Sequence, residues 1–270
     1  SNTVKLDSGI AVFSDNIRDG IKGSVFNACE QGFVNGRWGM EETIKFGVVA
    51  STSHDQIDYW KVSYSNAPWA KEPTQTITYA SAHDNLSLWD KLVLSTSGNS
   101  REEQIKMNLL AAAIIFTSQG ISFFQAGGEL LRSKPRNEEG TDFEHNSYNS
   151  PDVVNSLKWN TKTDNIEVFN YYKGLIALRK AHKALRLMTT EEIRHSLRFM
   201  DTGIQNLVAY TVQGICVILN ANPEQKTLQL PEGEWKVYVK GNRAGTEILE
   251  IVRDVVTVEA ISAVVLVKND

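Results

Sequence analysis

Short apolar segments alternate with longer amphipathic segments in the first two thirds of the chain. The runs GIAVF (9–13) and ISFFQ (121–125) are continuous and bounded, which is typical of strands buried on both faces of a sheet. The run TITYA (76–80) is β-branched and aromatic and predicts a third strand. The weakly patterned segment ETIKFGVVA (42–50) predicts a short helix between the first two strands.

Two further segments have the pattern of longer helices. Ser100 and Glu103 form a capping box, and Gly120 is a suitable C-terminal stop. Between them one apolar face recurs at helical spacing, through Ile105, Leu109, Ala112 and Phe116. The segment 165–182 predicts a last helix with basic residues in its final turns, after a long polar loop over residues 126–164. The resulting order of strand and helix, three times over, indicates a parallel α/β arrangement.

The pattern changes near residue 185. From Ile193 to Lys268 the chain contains short apolar strands separated by Gly, Pro, Asn or Asp, which predicts a small antiparallel β domain. Within EWKVYVKG, simple alternation puts Trp235, Val237 and Val239 on one face of their strand.

Composition narrows the class of protein. The 270 residues carry a formal net charge of −4, which argues against general binding to nucleic acid or to an anionic membrane. No apolar run is long enough to span a bilayer, and the initial SNTVKLDSG lacks the features of a signal peptide. Cys29 and Cys216 form neither a disulfide framework nor a metal site.

A polar cluster follows the predicted strand at 76–80. At a strand's end His83, Asp84 and Asn85 can fan around a pocket, where a carboxylate stabilises developing positive charge. The alternative is a turn in which Asp84 and Asn85 cap the next helix and His83 packs. No other histidine has ligand-like spacing with His83, and motifs for nucleotide cofactors, P-loops and esterases are absent, so we predict no metal or cofactor site.

Five segments together resemble the alpha-amylase superfamily of glycoside hydrolases, in the form of the type I pullulanases. The segment TYASAHDNLSLWDKL resembles the last short signature region of that superfamily. The other four occur in the order of the family. GIAVFSDNIRDGIKGSVF resembles the segment after the acid/base glutamate, and QGISFFQAGGELLRSK resembles the eighth barrel strand with its loop. NSYNSPDVVNSLKW resembles a pullulanase-like loop, and YYKGLIALRKAHKALRL resembles the final barrel helix.

This resemblance implies a fold. It implies that residues 1–187 are the last three strand-helix units of a (β/α)8 TIM barrel, and that 188–270 are a C-terminal antiparallel β-sandwich domain. It also implies a retaining hydrolase of alpha-1,6 linkages in pullulan, starch or glycogen, with an alpha-glucan as substrate. An isoamylase-like fragment, and a non-catalytic glucan-binding or scaffolding protein, are the alternatives.

The resemblance also implies site residues. Asp84 matches the family's transition-state stabiliser, His83 would bond hydroxyls of the same sugar, and Asn85 would help to set the pocket. The loop residues Tyr148, Asn149 and Asp152 match a region expected to contact donor-side sugars. The alternative for them is a loop held together by Asn and Asp turns.

Two carboxylates of the family's catalytic trio have no counterpart. Neither the nucleophile's DGFRFD-like stretch nor the acid's GEGW-like stretch occurs in this sequence. We therefore expect no hydrolysis by this chain alone, and either self-association or a partner that supplies the rest of the barrel. The sequence does not report a calcium requirement or a cellular location.

The positions of the tryptophans are a second indication of carbohydrate binding. Five fall in or near the loops at the presumed pocket end, where sugar rings can stack on them: Trp38, Trp60, Trp69, Trp89 and Trp159. For each of them, packing in the core is the competing role. Trp89, one helical turn after Asn85, is predicted to be a core residue.

Overall fold

The computed structural model describes residues 9–269. Its helices are α1 (Asp15–Lys22), α2 (Glu41–Val48), α3 (Leu88–Ser95), α4 (Arg101–Thr117), α5 (Asp152–Asn155), α6 (Thr161–Asp164), α7 (Ile166–Ala181) and α8 (Thr190–Ser196). Its strands are β1 (Val12–Phe13), β2 (Thr76–Thr78), β3 (Ile121–Ser122), β4 (Leu197–Phe199), β5 (Leu207–Val212), β6 (Ile215–Asn220), β7 (Lys226–Lys240), β8 (Arg243–Ala244), β9 (Glu250–Val258) and β10 (Ser262–Lys268). Nearly all of the segment SNTVKLDSG and the start of the predicted region 1–187 lie outside the described residues.

The predicted parallel arrangement is confirmed. Within the described residues β1, β2 and β3 form one sheet in chain order, with β2 in the middle. Both pairings are parallel, and Ile77 lies opposite Phe13 on one side and Ile121 on the other. Each strand is shorter than its apolar run, because only two or three residues of each run find hydrogen-bonded neighbours in this chain.

The prediction that the outer strands are buried on both faces is wrong. Phe13 in β1 is 46% exposed, and so is Ile121 in β3. Each strand has only one neighbour, β2, and its other edge is not covered by the described residues. The middle strand is well covered, with Thr76 and Thr78 buried.

The two long predicted helices, α4 and α7, are confirmed and pack against each other. The capping box of α4 is present: Ser100 Oγ accepts from the Glu103 backbone N–H at 3.2 Å, and a Glu103 carboxylate oxygen accepts from the Ser100 N–H at 2.9 Å. The predicted short helix at 42–50 is α2. Helices α1 and α8 were not predicted, and neither were the short helices α5 and α6, which lie within the predicted polar loop 126–164. Thr189 and Glu192 form a capping box before α8 that the sequence displays.

The antiparallel character of the second region is confirmed. Its strands form one seven-stranded sheet within the described residues, in the order β4-β5-β6-β10-β7-β8, and β9 pairs with β7. The long strand β7 runs through Pro231 and Gly233, although the predicted short strands were expected to be separated at such residues. Its pairing with β9 is irregular between Gln229 and Glu234.

The prediction that Trp235, Val237 and Val239 share one face is wrong. Trp235 and Val237 belong to an apolar cluster on one face of the sheet, whereas Val239 belongs to the core on the other face. The register between β7 and β10 shifts between Val265 and Leu266. An irregularity of this kind interrupts strict alternation and turns the following side chain to the opposite face.

One apolar core joins the helical region and the sheet. It includes Ile17, Ile114 and Leu175 from the helices and Tyr210 and Val265 from the sheet. This continuity fixes the β region against α4 and α7. Within residues 9–269, no helix combines the length and apolar character needed to cross a membrane.

Candidate functional site

His83 and Asp84 lie just past the carboxyl end of β2, the middle strand of the parallel sheet. The chain is buried through Tyr79 and Ala80 and then emerges into solvent. The side chain of His83 is 88% exposed and that of Asp84 is 76% exposed, with His83 Nε2 at 3.3 Å from an Asp84 carboxylate oxygen. The carboxylate therefore has its neighbouring imidazole as a partner and is open to a ligand.

The geometry disagrees with a helix-capping role for Asp84 or Asn85. Helix α3 is capped by Ser87, whose hydroxyl accepts from the Asp90 N–H at 3.1 Å. His83 is exposed rather than packed. Asn85 adopts a left-handed backbone conformation with φ of 61°, which non-glycine residues adopt infrequently and asparagine tolerates best. The segment 83–85 is therefore a separate turn after β2 that presents the side chains of His83 and Asp84 to solvent, while Asn85 is half-buried.

The buried side chain of Lys134 supports the backbone of this turn through hydrogen bonds. The lysine is 1% exposed, and its Nζ lies 2.5 Å from the carbonyl oxygen of Asn85 and 3.4 Å from that of His83. The same amine lies 3.3 Å from Ser147 Oγ, so it joins the 83–85 turn to the loop that carries Tyr148. Burial lowers the pKa of Lys134, against the opposing effect of the nearby Asp90 carboxylate.

Asp90 completes the support. Its Oδ2 accepts from the Lys134 backbone N–H at 2.9 Å, and the residue is fully buried. Burial raises the pKa of Asp90, while its hydrogen bonds and the charge of Lys134 oppose the rise. Sequence reasoning identified neither residue, because a lysine within LLRSKPRN and an aspartate within a helix have the ordinary pattern of surface residues.

The predicted residues Tyr148, Asn149 and Asp152 lie on one exposed loop. Asn155 organises it by donating from Nδ2 to the carbonyls of Ser147 at 2.6 Å and Ser150 at 3.0 Å. An asparagine thus holds the loop together, as in the alternative reading, and the side chains of the three predicted residues extend into solvent. Asp152 is the first residue of the short helix α5.

A charged network lies after the carboxyl end of β1. The Arg18 guanidinium contacts the carboxylates of Asp19 at 2.6 Å and Asp15 at 2.7 Å, and donates to the Tyr79 hydroxyl at 3.1 Å. Burial raises the pKa of Tyr79, and Arg18 opposes the rise. These charges satisfy one another, so the network links α1 to the residue following β2 and stiffens the sheet edge beside the 83–85 turn.

Among the residues that the structure describes, no three or more His, Cys, Asp or Glu side chains are grouped to hold a metal ion. The exposed carboxylate of Asp84 is consequently a single anionic group with hydrogen-bonding neighbours. Such a group can accept hydrogen bonds from hydroxyls and can stabilise a cation-like centre.

Comparison with known proteins gives a consistent family. Residues 193–243 match the family model described as the pullulanase all-beta domain. A pullulanase from Bacillus subtilis is 33% identical over 232 residues, which cover 83% of this chain and 30% of that protein. An isoamylase from a Flavobacterium species is 31% identical, over 45% of this chain.

Solved structures extend the likeness to almost the whole chain. The pullulanase from Bacillus acidopullulyticus superposes with a TM-score of 0.86 at 36% identity, covering 96% of this chain and 30% of that one. The Paenibacillus barengoltzii pullulanase in complex with maltohexaose and alpha-cyclodextrin gives 0.83 at 38% identity, covering 97% of this chain and 39% of that one. The chain thus spans well under half the length of these relatives. It belongs to the pullulanases and corresponds to their C-terminal region.

Proposed function

We propose that this chain contributes one part of the active site of a debranching enzyme that hydrolyses alpha-1,6-glucosidic linkages in pullulan, starch or glycogen. The observation that carries the proposal is the exposed Asp84 carboxylate at the carboxyl end of the middle strand of a parallel sheet. Active sites of (β/α)8 enzymes form at that end of their strands. The likeness to pullulanases, one of them solved with maltohexaose, supports an alpha-glucan as the substrate.

In this proposal Asp84 stabilises the transition state of a retaining mechanism. A nucleophilic carboxylate attacks the anomeric carbon while a protonated carboxyl group protonates the leaving oxygen, and the sugar ring becomes oxocarbenium-like. Asp84 accepts hydrogen bonds from ring hydroxyls, which favours the distorted sugar, and its negative charge stabilises the cationic centre. The nucleophile and the acid/base belong to polypeptide outside this sequence.

Five further residues bind substrate in the proposal. His83 donates to a hydroxyl of the sugar that Asp84 holds, and Asn85 sets the shape of the turn. Tyr148, Asn149 and Asp152 contact donor-side sugars from the neighbouring loop. The contacts of Lys134 with both segments support this grouping, because they keep the two loops at a fixed separation.

The proposed fold is the last three strand-helix units of a (β/α)8 barrel, over residues 1–187, followed by a β-sandwich over 188–270. The exposed outer strands support it. Phe13 and Ile121 belong to apolar runs typical of buried strands, and a barrel closed by further strands would cover both. The missing part of the barrel is accordingly the proposed partner of this chain.

The proposal predicts that the isolated chain does not hydrolyse pullulan. Without a nucleophile and a positioned acid, orders of magnitude of rate are lost. Equal amounts of this chain and of the Bacillus subtilis pullulanase are assayed for reducing ends released from pullulan. Measurable turnover by the purified chain would refute the assignment of the two other carboxylates to a different polypeptide.

A further inference from the structure

A second groove lies away from the proposed active site. It has a volume of about 700 Å³ and runs between the N-terminal half of α2 and the segment that links β4 to β5. Its volume is within the range of about 300–1,000 Å³ that is typical of small-molecule sites. None of the proposed active-site residues lines it.

The indole of Trp38 forms an exposed wall of this groove and is 56% exposed. It sits in a turn between Gly36, with φ of 111°, and Gly39, with φ of 78°, both in the left-handed region that favours glycine. The next residue, Met40, is buried and precedes α2 directly, which anchors the turn. The two glycines therefore allow a turn in which the indole of Trp38 faces solvent.

The rest of the groove is amphipathic. Its apolar floor consists of Met200 and Ile204, which are partly buried and pack against the apolar cluster on one face of the β sheet. Hydrogen-bonding groups around this floor come from Glu41, Asp201 and Gln205. Pyranose rings match such a lining, because they carry apolar C–H faces for an aromatic ring and hydroxyls around their edge.

The two lysines at the groove are paired within the protein, whereas Glu41 accepts a hydrogen bond from the Asn206 N–H and Asp201 accepts one from the Gly203 N–H. Lys45 pairs with Glu42 at 2.7 Å, and Lys61 pairs with Asp58 at 3.2 Å. The Lys45 ammonium also lies 5.6 Å from the centre of the Phe199 ring, where it is held by a cation–π contact. An anionic ligand would have to break these pairs and would face the carboxylates of Glu41 and Asp201, so the lining disfavours phosphorylated ligands. The same carboxylates can accept hydrogen bonds from hydroxyls.

We propose that this groove is a second carbohydrate site that binds a short linear alpha-glucan, with one glucose ring stacked on Trp38. The groove, the exposed indole and the carboxylates beside it, which accept hydrogen bonds from hydroxyls and repel anions, carry the assignment to an oligosaccharide without anionic groups. The choice of an alpha-glucan over other neutral sugars rests on the proposed function. The site would hold the polymer near the enzyme while a separate stretch of chain occupies the active site.

The test measures binding of maltohexaose to the purified chain by calorimetry, and maps it by hydrogen exchange of backbone amides. Trp38→Ala is compared with Phe26→Ala, a control that removes an aromatic ring that is 92% exposed but does not line the groove. Trp38→Phe keeps a smaller stacking face. We expect Trp38→Ala to weaken binding at least about fivefold, Trp38→Phe to weaken it less, and Phe26→Ala to leave it unchanged. Circular dichroism confirms that each variant is folded.

Hydrogen exchange separates this inference from the proposed function. Protection of residues 36–45 and 199–206 by maltohexaose supports the groove, whereas protection confined to 82–90 and 146–152 supports the active-site proposal and overturns the groove. Protection of the groove by cellohexaose but not by maltohexaose overturns the alpha-glucan assignment. Equal binding by Trp38→Ala and the parent chain, or no sugar binding at all, overturns the inference, and so does dimerisation through this face in sedimentation.

Discussion

At the scale of single residues, the surroundings of Asp84 consist of an exposed pair of side chains and a buried pair that supports their backbone. His83 and Asp84 face solvent, while Lys134 and Asp90 are buried beneath their backbone. The Lys134 amine donates hydrogen bonds to two carbonyls of the 83–85 turn and to the hydroxyl of Ser147. A buried amine with several acceptors is costly to remove, because each acceptor then lies desolvated without a donor.

Lys134→Met tests this support. The variant leaves the carbonyls of His83 and Asn85 and the Ser147 hydroxyl without their buried donor, so we expect a loss of about 2 kcal/mol or more in the free energy of unfolding. Amides in residues 82–90 and 146–149 should exchange faster. Lys158→Met is the matched control, because Lys158 is an exposed lysine of the same loop region. Equal stability of the two variants would contradict a supporting role for Lys134.

Lys22 gives a prediction with a defined pH dependence. The side chain is buried, and burial lowers its pKa from 10.5 to about 7. Below pH 7 the lysine is charged in both the folded and the unfolded state, and burying that charge destabilises the fold. Between pH 7 and about 10.5 the unfolded chain holds the proton that the folded chain has released, so stability rises with pH.

Lys22→Met removes this penalty. We expect the variant to be more stable than the parent chain at pH 6, and the difference to shrink at pH 9, as measured by urea unfolding at both values. The other ionisable groups are common to both proteins and largely cancel in the comparison. A difference that grows with pH would contradict the lowered pKa of Lys22.

The sequence predicted the position of the proposed site residues along the chain but not the residues that support them. His83, Asp84 and Asn85 stood out because three polar residues follow an apolar run, and the structure has them after β2. Lys134 and Asp90 gave no signal, since their burial depends on contacts between segments more than 40 residues apart. Trp89 was predicted to be core and is buried, which is confirmed.

At the scale of elements, local signals explain the well-predicted parts. The capping box predicted the start of α4, whereas the single apolar face did not predict its burial, because every residue from Met107 to Thr117 is buried. The sequence did not predict that the side chain of Val239 lies on the opposite face from Trp235 and Val237, because this change arises from a register shift between β7 and β10. A register shift depends on the partner strand, so alternation along one strand cannot reveal it.

Ser100→Ala tests the capping box. The substitution removes the hydroxyl that accepts from the Glu103 N–H, and the loss of an N-cap costs about 1 kcal/mol in the free energy of unfolding. Urea unfolding measures the change, and Ser97→Ala, at an exposed position just before the cap, serves as the control. If both alanine variants unfold at the same urea concentration, the cap contributes nothing to this fold.

At the scale of the whole molecule, both edges of the parallel sheet are unpaired within residues 9–269. The outer strands β1 and β3 expose Phe13 and Ile121, and Ile10 beside β1 is exposed as well. Strand edges with apolar side chains pair readily with other chains. The three short parallel strands could be predicted from their apolar runs, but their exposure could not, because a run typical of burial does not say which chain covers it.

Self-association follows from these edges. We expect sedimentation velocity to show oligomers of the isolated chain that increase with concentration, and Ile121→Lys to shift the distribution towards monomer, because an edge lysine opposes strand pairing. The control Ile166→Lys changes an exposed isoleucine outside the sheet. A compact monomer at high concentration in the parent chain would contradict the open-edge account.

The central claim is that Asp84 stabilises the transition state in an active site completed by other polypeptide. The most direct measurement is pullulan hydrolysis by a polypeptide that extends this chain upstream with the two missing carboxylates, compared with its Asp84→Asn variant and with Asp142→Asn as an exposed control. The account predicts a fall in kcat of about a hundredfold or more for Asp84→Asn and no change for the control. Unchanged hydrolysis by the Asp84→Asn variant would contradict it.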